Sequence, residues 1–156
     1  MARKKLNVQR YTFKAYPYGL GRTVYRVFEI NGTEYLDVLA FEILECFDFS
    51  HEHMYEFSMD GDLYSPYNII CYSEEGQQTT DRVRIDQLGL SKGSKFWFHY
   101  DFGDDWVFVV SVQKIVEIEN PEEPKLLRGK GAVEQYPDWD EDEDWDEEDD
   151  QDGEES

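Results

Sequence analysis

At 156 residues the chain has the length of one domain, and its 36 acidic against 15 basic side chains leave a net charge of −21, which argues against direct DNA binding because phosphate contacts need clustered Lys and Arg. The charge is uneven: residues 134–156 hold 15 of the acidic side chains and no Lys or Arg, so residues 1–133 carry 21 acidic against 15 basic. No stretch approaches the roughly 18 apolar residues of a membrane span, and no apolar segment of signal-peptide length follows the basic Arg3-Lys4-Lys5 opening, so a cytoplasmic protein without membrane contact is expected.

These numbers divide the chain into a single α+β domain, 1–133, and an acidic tail, 134–156. The tail buries too little apolar surface to offset its self-repulsion, and its composition predicts disorder. Its sign suits a basic protein partner. Cys46 and Cys71 form no Cys-x-x-Cys pattern and read as two reduced thiols.

In chain order, Asn7 to Tyr16 and Arg22 to Ile30 are rich in aromatic and β-branched residues and flank the turn cluster Pro17-Tyr18-Gly19-Leu20-Gly21, which predicts two paired strands. Thr33 is placed to cap a helix over about 34–47. There Leu36, Leu39, Ala40, Ile43, Leu44 and Phe47 recur at spacings of three and four and form one apolar stripe. His51 to Met59 reads as a strand entry before the turn Asp60-Gly61-Asp62, and Tyr67 to Tyr72 is a further short apolar run. Ile85 to Leu90 fits either a turn of helix or a loop.

The strongest hairpin signal is Lys95 to Asp101, a Gly103-centred turn, and Trp106 to Ile118, with Trp106, Phe108, Val110, Val112, Val116 and Ile118 on one side at period two. Asn120-Pro121 ends the second arm, since proline donates nothing to a ladder. Gly129-Lys130-Gly131 lacks the rest of a phosphate loop and reads as a plain turn. The architecture expected is a mainly antiparallel sheet packed against one main helix.

Three constellations could carry function. Asp101, Asp104 and Asp105 could share a proton or a divalent cation, or simply build the turn. If residues 51–57 are extended, His51 and His53 point to one face, and with His99 or a turn aspartate they could grip a metal ion. The third is aromatic: Tyr100 and Trp106 beside the aspartates, and Trp139 and Trp145 in the tail, are candidate contacts for a partner. Neither cysteine sits in an evidently electropositive setting, and no Gly-x-Ser-x-Gly elbow is present.

Tyr100-Asp101-Phe102-Gly103-Asp104-Asp105-Trp106 resembles a signature of the plasmid Ri open-reading-frame-three family, the TnpR-like passenger proteins of insertion sequences. The strand pair before a helix, the His51-x-His53-x-x-x-Phe57 stretch and the late glycine segment Leu126 to Gly131 are similar to that family too, over about residues 5–137. The chain departs from it where members carry Pro-Pro-Glu-Asp-x-Gly-Gly, reading Ala132-Val133-Glu134-Gln135-Tyr136-Pro137 instead. The resemblance implies an α+β fold and an association with mobile genetic elements, but no reaction.

The favoured reading is a non-catalytic interaction or accessory module with no cofactor, binding through Tyr100, Asp101, Asp104, Asp105, Trp106, Trp139 and Trp145. Its rival is a metal-dependent, hydrolase-like enzyme that uses His51, His53 or His99 with the aspartates and a divalent metal. A further alternative is a nucleic-acid-associated regulator whose tail mimics phosphate charge.

Overall fold

The computed structural model describes residues 7–136, so the tail with Trp139 and Trp145 lies outside the described residues. Among the described residues the strands are β1 (Val8–Pro17), β2 (Tyr25–Asn31), β3 (Tyr55–Ser58), β4 (Ile69–Ile70), β5 (Lys95–Tyr100), β6 (Trp106–Ile118) and β7 (Lys125–Lys130), with one α-helix, α1 (Leu36–Cys46). They form one seven-stranded sheet in the order β4-β3-β5-β6-β1-β2-β7, in which every neighbouring pair is antiparallel. The fold is thus α+β, as the periodicities predict.

One face of this sheet carries the core. Tyr11, Phe13, Ala15, Phe28, Ile30, Phe57, Phe96, Phe98, Phe108, Val110 and Val112 are buried on it, and Leu36, Leu39, Ala40, Ile43 and Leu44 of α1 join the same apolar cluster. Each such large side chain contributes on the order of 1.5–3 kcal/mol by leaving water. Rings interlock across the layer, with Phe47 5.0 Å from Phe108 and Phe13 edge-on to Phe96 at 5.9 Å. We call this the helix face and its opposite the far face.

The helix begins later than predicted and is not capped by Thr33. Tyr35 holds the extended cap position and makes no side-chain cap bond. The free N–H groups of Leu36 and Asp37 donate instead to the carbonyls of Val83 and Thr80, so a later loop does the work of a capping side chain. Asp48, at φ +61°, turns the chain out of the helix, and the Phe49 N–H closes back on the Leu44 carbonyl. The segment open to two readings contains a short 3-10 turn, Ile85–Gln87.

Two further departures have clear causes. In β6, Thr12 pairs with Lys114 but Phe13 pairs with Val112, which leaves Gln113 as an extra residue. The bulge reverses the alternation beyond it: Ile115 packs on the core, while Val116, expected to face the helix, is 39% exposed. The glycine segment expected to be a turn lies largely in β7, a fully exposed strand along the free edge of β2. Only Gly131 lies beyond it, at φ +65°, where a β-carbon would stand 2.2 Å from the Thr23 carbonyl oxygen.

Candidate functional site

The turn joining β5 to β6 is made by aspartates. Asp101 and Asp105 both adopt positive φ, +68° and +53°, a conformation Asp tolerates better than most side chains, whereas Gly103 does not need it. One carboxylate oxygen of Asp101 accepts the N–H groups of Gly103 (3.0 Å) and Asp104 (3.2 Å). Glycine at 103 serves space rather than conformation, because a β-carbon there would sit 3.3 Å from that oxygen.

On the far face this turn closes over a buried imidazole. Glu56 of β3 and His99 of β5 are directly opposed, and His99, 0% exposed, has Nδ1 2.8 Å from Glu56 Oε2 and Nε2 2.6 Å from Asp105 Oδ1. Glu56 is fully employed: Oε2 also accepts the Tyr64 N–H at 2.7 Å, and Oε1 accepts the Asn68 amide at 3.0 Å. The loop between β3 and β4 is thereby drawn across the strand, with Tyr64 and Phe102 each 4.9 Å from the His99 ring.

The Tyr64 hydroxyl reaches Asp105 Oδ1 at 2.5 Å and the Phe102 carbonyl at 3.0 Å. Hydrogen bonds from Tyr64 first and His99 second hold the Asp105 carboxyl below its ordinary range, while the bond to Asp105 pushes the Tyr64 phenol up to about 12. Asp105 therefore presents a dependable negative charge, and its side chain is 48% exposed.

Beside that charge lies a recess of about 450 Å³ bordered by Pro17, Tyr18, Leu20, Trp97, Asp104, Asp105, Trp106 and Val107. Tyr18 and Trp97 meet edge to face, centroids 5.4 Å apart. Trp106 borders the recess, although its ring stacks on Phe108 and meets Phe49 edge-on toward the core.

On the helix face a second histidine meets the turn. His53 Nε2 lies 3.5 Å from Asp101 Oδ2 and 2.6 Å from the Tyr136 hydroxyl, and the His53 backbone N–H donates to the Tyr100 hydroxyl at 3.2 Å. A smaller cleft of about 230 Å³ runs here between Phe41 and Leu44 of α1 and the residues His51, His53, Tyr55 and Tyr100. Gln135 fastens the segment after β7 by accepting the Ser50 N–H at 2.6 Å.

The two segments that carried the resemblance thus do touch, through His53 and Asp101. The histidines do not converge further. Strand β3 starts only at Tyr55, so His51 and His53 are not on one extended face; His51 pairs with Glu45 at 2.8 Å and packs on Phe41. Among the described residues no three His, Cys, Asp or Glu side chains are placed to hold one metal ion. Tyr100 belongs to the core, with its hydroxyl bonded to the Ser50 carbonyl.

Cys46 is pushed up to about 12 by burial, which keeps its thiol protonated, and both cysteines are free. Among the described residues no helix is long and apolar enough to cross a membrane. Sequence reasoning missed Glu56, Tyr64, Asn68, Tyr18, Leu20 and Trp97. The one signal available was period two, which sets Trp97 and His99 on the face opposite Phe96 and Phe98.

No curated protein matches the chain. Among solved structures it is similar to a protein of unknown function from Methanosarcina mazei Go1, with a TM-score of 0.65 and 21% identity over 80% of this chain and 71% of that one, a likeness of fold. The family model described as plasmid pRiA4b ORF-3-like protein matches residues 10–144, nearly the whole chain, and the protein belongs to that family.

Proposed function

We propose that the protein is a non-catalytic accessory module that receives a basic segment of a partner protein at the recess beside the aspartate turn. One observation carries this reading: an apolar recess walled by Tyr18, Leu20, Trp97 and Val107 opens beside two exposed carboxylates, Asp104 and Asp105, the second of them kept ionised by Tyr64 and His99. Long cationic side chains need apolar surface for the stem and negative charge or an aromatic face for the head.

Catalysis finds less support in the same geometry. A general base must present one nitrogen to its substrate, whereas both His99 nitrogens face carboxylates. A metal-dependent hydrolase would need His51 and His53 to share a target with His99 or a turn aspartate; His53 does meet Asp101, but His51 pairs with Glu45 and His99 is enclosed between Glu56 and Asp105. The acidic tail, with Trp139 and Trp145, would add attraction for the same basic partner and speed its approach.

The test is a titration of the full-length protein with a lysine- and arginine-rich peptide, followed residue by residue by NMR. Salt-sensitive shifts at Trp97, Asp104 and Asp105 are expected. Shifts confined to residues 138–155 would locate binding in the tail and sink the recess as the site.

A further inference from the structure

The recess differs from a simple acidic patch in that one of its two carboxylates, Asp105, has an oxygen already occupied, and we infer that it takes a lysine side chain of the partner in preference to an arginine; this rests on the basic-partner reading above. The guanidinium of arginine binds a carboxylate best as a fork, with two parallel N–H groups on the two oxygens of one acid. Asp105 cannot serve that fork well. Its Oδ1 already receives Tyr64 at 2.5 Å and His99 at 2.6 Å, which leaves one oxygen for a ligand.

An ammonium has no such requirement. It is a compact charge with three donors that rotate about a flexible stem, so single oxygens from different acids satisfy it. Asp104, the exposed neighbour of Asp105 in the chain, supplies a second carboxylate at the same mouth. The walls fit the remainder of the side chain: Pro17, Leu20 and Val107 are apolar, and the Tyr18 and Trp97 rings meet at 73° to make an aromatic corner. A four-carbon stem lies along such a surface while the head stays within the attraction of the ring faces. Arginine can stack on the same rings, so the discrimination is a ratio rather than an exclusion.

The deciding experiment titrates full-length protein with two short peptides identical in sequence and charge, one bearing lysines and the other arginines at the same positions, read at the Trp97 indole N–H by NMR. The lysine peptide is expected to bind about three- to tenfold more tightly, and Asp104→Asn, read at the same indole, and Trp97→Ala, read at the backbone N–H of Asp104, each to bring the ratio toward one. Asp104→Asn alters only an exposed turn side chain, so it keeps the test valid if the tryptophan variant folds poorly. Equal or tighter binding of the arginine peptide, with Trp97 still shifting, overturns the lysine preference and leaves the basic-partner reading standing. No shift at Trp97 with either peptide overturns both.

Discussion

The aspartate turn meets a histidine on each face of the sheet, and the two meetings are unlike. His99 is 0% exposed, with carboxylates at 2.8 and 2.6 Å on its two nitrogens, whereas the His53 side chain is 33% exposed and its Nε2 lies 3.5 Å from Asp101. An imidazole with every polar atom engaged inside the protein holds architecture in place; one at the rim of a cleft still has room to exchange partners. The far-face junction therefore uses its histidine for positioning and leaves the outer carboxylate, Asp105, half exposed.

Breaking the inner junction should have the largest effect. Glu56→Ala would strip the buried His99 Nδ1, the Asn68 amide and the Tyr64 N–H of their acceptor, and a loss of about 3–5 kcal/mol in urea unfolding is expected. A loss no larger than that of the half-open junction would erase the distinction between the two faces. At that second junction His53→Ala removes one partly exposed contact with Asp101 and Tyr136, and about 1 kcal/mol should be lost in the same measurement.

The smallest effect sharpens the electrostatics. Tyr64→Phe deletes the first of the two bonds that depress Asp105, so the carboxyl should move up toward its ordinary value, as read by carbon-13 NMR during an acid titration. The sign follows from linkage: a carboxyl depressed in the folded state stabilises the fold above its unfolded pKa, and that contribution disappears as pH falls through the folded value. The variant should lose it at higher pH than the parent. Tyr64 itself behaves oppositely. With its phenol raised to about 12, its contribution is complete below the ordinary phenol value of 10.0 and fades as pH rises through about 12.

The helix, the first strand pair and the β5–β6 hairpin were legible because burial on one face imposes a period on the sequence. The bulge at Gln113 was not, since one unpaired residue changes parity without changing composition. Nor was β7: Leu126-Leu127-Arg128-Gly129 does not alternate, and the free edge of β2, far away in sequence, makes it a strand. The aspartates and His53 were found in the chain because turn chemistry and the resemblance mark them. Glu56, Tyr64 and Asn68 were not, because their partnership with His99 depends on the path of the β3–β4 loop, and Tyr64 itself adopts φ +60°. Period two placed His51 and His53 together only on the assumption of extended backbone, which begins two residues later.

The border strand β7 has a consequence for the protein in concentrated solution. Its outer row of backbone groups ends the sheet, a template on which another copy could add strands without limit. Lys125, Arg128 and Lys130 stand along it, so two such borders approaching each other bring cation against cation. The repulsion discourages amyloid-like stacking at no expense to the interior, and it reaches only about 10 Å at 0.1 M salt. Concentrated brine, which cancels it, is the solvent in which copies would first adhere edge to edge.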